Sequence, residues 1–205
     1  MANIFVKKFT ILTVLLALIG FFSINCQKKN AVQDRQADKF ITFDVNRELL
    51  EPAFQDQELR IKFSPPMGWK AAPDSIIHAF PVIKSAPFQL SPRQIFMNDS
   101  LQCGCVLSGV DSVHIDNTEE IFQFADSQLK NALPQAQVQS SEFFTDYFRV
   151  RQTLAMTSDL VWFRLLLDHP DAEIFEIDYI IPRNSYPSQV KAVESSIGSI
   201  APVGK

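Results

Sequence analysis

VQSSEFF (138–144), YFRVRQTLAMT (147–157), LVWFRLLLD (160–168) and EIFEIDYII (173–181) follow one another with only short polar breaks between them. Branched and aromatic residues take alternate positions in these runs, the pattern of strands with a buried face. The breaks at Thr145-Asp146, Thr157-Ser158-Asp159 and His169-Pro170-Asp171 have turn chemistry. Connections this short cannot carry a parallel crossover, so the runs predict a four-stranded antiparallel meander. In the last run Phe175, Ile177, Tyr179 and Ile181 line one face.

Beyond the meander, Pro182-Arg183-Asn184-Ser185 leads into a predicted helix from about Tyr186 to Ser199. Pro187 falls in its first turn, and Val190, Val193, Ile197 and Ile200 lie on one side. Before the meander, Asn117 and Glu120 form a capping-box-like start for a second helix. Ile121, Phe124, Ala125, Leu129 and Leu133 give that helix its apolar stripe, and Pro134 closes it. Further upstream, Arg93–Met97 and Leu101–Val110 read as paired strands around an Asn98-Asp99-Ser100 turn. The stretch from Ala71 to Pro92 carries four prolines and reads as a long excursion with a short helix at Asp74–Phe80. Glu58–Phe63 alternates as a half-buried strand and is stopped by Ser64-Pro65-Pro66-Met67-Gly68-Trp69. The expected class is α+β: a central antiparallel sheet with helices packed on its faces.

Phe63-Ser64-Pro65-Pro66-Met67-Gly68-Trp69, Phe175-Glu176-Ile177-Asp178-Tyr179 and the closing Val190–Ile200 segment resemble the PsbP/MOG1-like family, over roughly residues 58–201. That resemblance implies a sheet with helices on its faces and a role as a binding or assembly partner of other proteins. It implies no catalytic residue.

The N-terminus has the export layout of Lys7-Lys8, an apolar run from Phe9 to Ile24, then Asn25-Cys26-Gln27-Lys28-Lys29. At about 1.5 Å per residue the run reaches about 24 Å, short of a hydrocarbon core of about 30 Å. A single cysteine where apolar sequence gives way to polar is similar to the signal of bacterial lipoproteins, in which that cysteine is acylated and becomes the new N-terminus. Ser23 and Asn25 depart from the Leu and the small residue usual at those places. An uncleaved helical anchor is the alternative.

The expected organisation is therefore an export signal at 1–25, a lipid-attached polar tether at 26–39 beginning with Cys26, and one domain at 40–205. Localisation follows as the cell envelope, lipid-anchored and extracytoplasmic. Gln27 and Lys28 lack the Asp that commonly retains inner-membrane lipoproteins, which points to an outer membrane if the cell has one.

Losing Lys7 and Lys8 with residues 1–25 takes the formal charge from −4 to −6. An acidic product lacks the clustered cations that neutralise phosphates, so nucleic acid is not the expected partner. With 46% hydrophobic residues and 18 Phe, the domain has ample material for a core. It carries no phosphate-binding glycine loop, nucleophile elbow or His-Glu-x-x-His motif, and no enzyme activity and no cofactor is expected.

Two clusters remain as candidate sites. Cys103-Gly104-Cys105 puts two thiols on one strand face. They read as a structural disulfide that requires local distortion, as inert core thiols, or as a redox or soft-metal pair. The metal reading gains nothing from His78, His114 and His169, which are scattered, and no metal site is expected. The second cluster is Arg149, Arg151, Arg164, Glu176 and Asp178, at alternate positions of three successive strands opposite much of the apolar pattern, with Trp162 in phase. It reads either as cross-strand ion pairs on a solvated surface or as a partner-binding face with Trp162, or less favourably Trp69, as the anchor.

Overall fold

The first two hairpins of the meander are each closed by a threonine. In the computed structural model, which describes residues 39–79, 83–85, 88–112, 117–169 and 173–204, Thr145 Oγ1 accepts from the Tyr147 and Phe148 amides at 3.3 and 3.1 Å. Thr157 Oγ1 accepts from the Asp159 and Leu160 amides in the same way, at 3.3 and 3.0 Å. These side chains substitute for backbone acceptors in the turn. They join β7 (Gln137–Phe144), β8 (Arg149–Met156) and β9 (Leu160–Asp168), and β9 is followed by β10 (Phe175–Pro182), all antiparallel.

Upstream lie β1 (Phe54–Asp56), β2 (Ile61–Phe63), β3 (Lys70–Ala71), α1 (Asp74–Ala79), β4 (Ile83–Ser85), β5 (Phe88–Asn98), β6 (Cys103–Ser112) and α2 (Thr118–Ala132). Downstream are α3 (Tyr186–Gly198) and β11 (Ala201–Pro202). The main sheet runs β3-β5-β6-β10-β9-β8-β7, with β4 also on β5, and β1-β2-β11 form a smaller one. The whole is the expected α+β arrangement. Asp38–Lys205 forms one compact unit. The export signal, Cys26 and the tether as far as Asp38 lie outside the described residues, as do His114, Pro170 and Asp171. Among the described residues no helix is long and apolar enough to cross a membrane.

Several local readings change. The strand expected from Glu58 is confined to Ile61–Phe63, because Asp56 Oδ1 accepts from the amides of Glu58 and Leu59, both at 2.9 Å, and bends the chain first. Arg60 then takes a φ of 54°. Part of the Pro-rich excursion is strand: β5 begins at Phe88 and includes Pro92, at a register shift between Pro92 and Gln94. A bulge relieves the proline of ladder duty. It also turns Arg93 out to Asp56, at 2.7 Å, and to Glu58. Burial would raise the Asp56 carboxyl, but Arg93 and the two turn amides hold it below its ordinary value. The Pro-Pro segment ends as foreseen, in a turn where Trp69 N–H donates to the Pro66 carbonyl at 3.0 Å. Gly68 supplies the φ of 82° that this turn demands.

The two faces of the main sheet differ. One carries Phe163, Leu165, Phe175, Ile177, Tyr179, Cys105 and Leu107, all buried with Trp69, Phe63 and Val193, Ile197 and Ile200 of the α3 segment. Val190, expected with them, is only half-buried. Side chains of this size contribute about 1.5–3 kcal/mol each when fully buried. Three serines seam α3 into place: Tyr179 Oη lies 2.9 Å from Ser196 Oγ, which donates to the Ser64 carbonyl at 2.7 Å, and the Ser64 amide donates to Ser199 Oγ at 2.9 Å. The Asn46 amide completes the seam on Ser195 Oγ at 3.2 Å.

The opposite face is covered at two places. Ile121, Phe122 and Ala125 of α2 pack on Leu90, Val110 and Leu166, and Ile77 of α1 packs on Ala72, Ile95 and Val106. The buried stripe of α2 is Ile121, Phe122, Ala125, Asp126 and Leu129; Phe122 and Asp126 join the expected stripe, Phe124 packs half-buried at its edge, and Leu133 is half-buried at the C-cap. The helix starts at Asn117 as predicted, but its side chain accepts from Glu119 N–H at 3.0 Å in place of a capping box with Glu120.

Candidate functional site

The charged positions of the meander do share a face, since Asp178 pairs in register with Arg164, and Arg164 with Thr153. That face is not a solvated surface. Arg164, Glu176 and Asp178 are 4%, 1% and 7% exposed, because α2 lies over the neighbouring strands. Arg164 forks onto Asp178, with Nε and Nη2 each 3.0 Å from a carboxylate oxygen, the paired geometry that makes guanidinium–carboxylate bonds strong. Arg164 Nη2 also meets Glu176 Oε1 at 3.2 Å.

From α2, Asp126 takes Arg151 Nη2 at 2.6 Å on one oxygen and Thr153 Oγ1 on the other. Arg149 ties Glu142 at 2.8 Å and Glu119 of α2 at 3.0 Å, and its guanidinium lies over the Phe122 ring at 5.1 Å. Burial works against the Arg164 cation, yet the Asp178 carboxylate beside it holds it firmly protonated. Burial, then the charge of Asp178, push the Glu176 carboxyl well above its ordinary value, against the pull of Arg164.

The cross-strand ion pairs are present, but on a covered face rather than a solvated one. Arg149, Arg151, Arg164, Glu176 and Asp178 have their charges spent on one another and on α2, and three of them are closed to a partner. Trp162 is half-buried, with the Arg164 guanidinium 5.5 Å from its ring centre. Trp69, the other anchor considered, is 1% exposed and gives its indole N–H to Gln189 Oε1 at 3.2 Å. His169 is buried, with its ring 5.4 Å from that of Phe148.

Cys103 and Cys105 share the core face, as strand parity requires, but they are free thiols. The expected disulfide is not formed, and in regular strand geometry positions two apart sit at the limit of its reach. Burial pushes the Cys103 thiol up to about 11 and the Cys105 thiol well above its ordinary value. The thiolate is the nucleophile and metal ligand, and this environment withholds it. Among the described residues no group of His, Cys, Asp and Glu is arranged to hold a metal ion.

A site that the sequence reading missed lies between α1 and the β5–β6 turn. Ile76, Ile95, Met97, Val106 and Ile180 line an apolar groove of about 480 Å³, rimmed by Asn98, Asp99 and Gln102. Ile76 and Met97 are 40% and 36% exposed. A larger cleft of about 710 Å³ lies between α3 and the small sheet. In its lining, Glu51 is held by Lys70 at 2.6 Å and by the Gly68 amide at 2.8 Å. The apolar groove, with Ile76 and Met97 exposed along it, is the better candidate for a partner. Its only sequence signal was the helix at Asp74–Phe80 beside the Asn98-Asp99-Ser100 turn.

The arrangement defines an α+β domain with a sealed charged layer and an open apolar groove. No protein-family model matches the chain, and no curated protein matches it in sequence. Among solved structures it is similar to the solution structure of cyanobacterial PsbP from Synechocystis sp. PCC 6803, with a TM-score of 0.49 and 9% identity over 75% of this chain and 92% of that one.

Proposed function

We propose that the protein is a membrane-tethered extracytoplasmic lipoprotein that acts without catalysis, by holding a partner protein in the groove between α1 and the β5–β6 turn. The observation that carries this reading is the pairing of Ile76 and Met97, two large apolar side chains left exposed along one apolar groove. Exposed apolar surface of this kind marks interaction sites when it is concave and contiguous. The partner chemistry that fits is a segment offering an apolar side chain to the groove and hydrogen-bonding groups to Asn98, Asp99 and Gln102.

Tethering rests on the basic, apolar and polar order of residues 1–29 and on Cys26. The domain's entry point supports the same picture. Lys39–Ile41 run beside β7, with Ile41 N–H donating to the Phe144 carbonyl at 2.8 Å and Phe144 N–H to the Lys39 carbonyl at 2.9 Å. The groove lies toward the β5 edge, five strand spacings of about 4.8 Å away, or about 24 Å. A domain held through residues before Lys39 thus carries its groove at the far side of the sheet.

Capture from native membranes with the full chain as bait tests the proposal. The double variant Ile76→Glu, Met97→Glu is expected to lose at least about tenfold of the partner recovered by the wild type, with little change in thermal midpoint, since charges introduced at exposed sites seldom destabilise by more than about 0.5 kcal/mol. Undiminished capture contradicts the groove. Intact mass of membrane-extracted protein is expected to lack residues 1–25 and to carry added lipid; a species retaining Met1 without lipid contradicts the anchor.

A further inference from the structure

The layer beneath α2 does not balance as a set of ordinary charges. Its inner members are two guanidinium groups, Arg151 and Arg164, and three carboxyl groups, Asp126, Glu176 and Asp178. With all three carboxyl groups ionised, an excess negative charge is enclosed where burial makes it costly. One retained proton makes the layer neutral.

Hydrogen bonding identifies where that proton resides. Asp178 has both oxygens on Arg164. Asp126 has one oxygen on Arg151 and the other on Thr153. Glu176 meets Arg164 through Oε1 alone, and its Oε2 is buried with no hydrogen-bond partner among the described residues. A buried anion with an unsatisfied oxygen is the least favoured of the three, and protonation turns that carboxyl into a donor for which the neighbouring Asp178 carboxylate is an acceptor.

We propose that Glu176 is a proton-binding site that holds one proton in the folded state, keeping the layer under α2 neutral, and that losing this proton loosens the grip of α2 on the sheet. The groups that face it are Arg164 on β9, Asp178 on β10, Asp126 on α2 and Arg151 on β8, with the more exposed Arg149, Glu142 and Glu119 beyond. From β6 its register neighbour is Ser108, which carries no charge. Cys105 lies near Asp178 from the other side of the sheet, and its thiol stays protonated there. Burial raises the Glu176 carboxyl in the sense the geometry requires.

The linkage has a definite sign. The folded protein keeps a proton that the unfolded chain releases above about pH 4.3. This contribution to stability is therefore fully present below that pH and is lost as pH rises toward the folded-state value, the unfolding constant growing by up to about tenfold per pH unit. Glu176→Gln, a neutral side chain of the same shape, removes this dependence.

Two measurements on the full chain in detergent test the inference. Urea unfolding between pH 5 and 8 is expected to show the Glu176→Gln curve gaining on the wild type as pH rises, while contributions common to both cancel in the difference. Parallel curves overturn the proposal. Carboxyl carbon NMR of the wild type, assigned through the backbone, needs no variant to fold. The Glu176 carboxyl is expected to be protonated at pH 7, and an ionised carboxylate there overturns the proposal.

Discussion

Arg164→Met is expected to destabilise the protein by about 3–5 kcal/mol, the cost of leaving a buried charge without its partner. Methionine fills much of the space of the arginine stem, so the loss is electrostatic rather than a cavity. Both oxygens of Asp178 and Oε1 of Glu176 lose their donor at once. For a urea slope of about 2 kcal/mol/M, the midpoint falls by about 1.5–2.5 M. Adding Asp178→Leu to Arg164→Met is expected to recover most of that loss, because a buried ion pair exchanged for apolar side chains is often neutral or stabilising. A single variant within about 1 kcal/mol of wild type would show that water reaches this layer and that α2 does not seal it. In that case the face would again be open to a partner.

Trp69→Ala is expected to cost a similar amount, about 3–5 kcal/mol, through the cavity it leaves. Trp69 packs against Tyr179 with ring centres 6.2 Å apart, and its indole N–H ties the Pro-Pro turn to α3 through Gln189. Losing it loosens the turn, the small sheet and α3 together. Trp69→Phe, which keeps an aromatic ring and removes the N–H, is expected to cost much less. Thermal or urea unfolding of the two variants separates this role from that of a binding anchor. An anchor loses partner capture with stability intact, whereas Trp69 here is expected to lose stability first.

The parity of the meander was legible because strand periodicity is strict: Phe175, Ile177, Tyr179 and Ile181 share a face and are all buried. The same parity correctly grouped Arg149, Arg151, Arg164, Glu176 and Asp178. What parity does not carry is what lies above a face. Hydropathy assigns Asp126 to solvent, so the stripe of α2 was set around Phe124 and Leu133, and a charged face looked open. Asp126 is buried because Arg151 and Thr153 wait beneath it, a complementarity between residues about 25 positions apart.

The serines of α3 escaped for the same reason. A buried hydroxyl is marked by its acceptor, and the Ser64 carbonyl is 132 residues from Ser196. Pro92 misled in the other direction, because a proline stops a strand only where its N–H is needed, and the bulge removes that need. Gly198 was informative only in three dimensions: a Cβ there would collide with Phe43 and Val45, so glycine lets residues 43–45 pass over α3. The groove escaped because it is made where a six-residue helix and the β5–β6 turn meet strands β5, β6 and β10, a meeting that no local pattern announces.

Photo-crosslinking from inside the groove tests the central claim most directly. A photoreactive phenylalanine at position 97 of the full chain, expressed in its native membrane, is compared with one at position 147, which is similarly exposed but lies at the opposite edge of the sheet. The expected result is a discrete protein adduct from position 97 that is lost when Ile76→Glu is added, and none from position 147. An adduct from position 147 with none from 97, or one from 97 that Ile76→Glu leaves unchanged, would contradict a partner held in the groove.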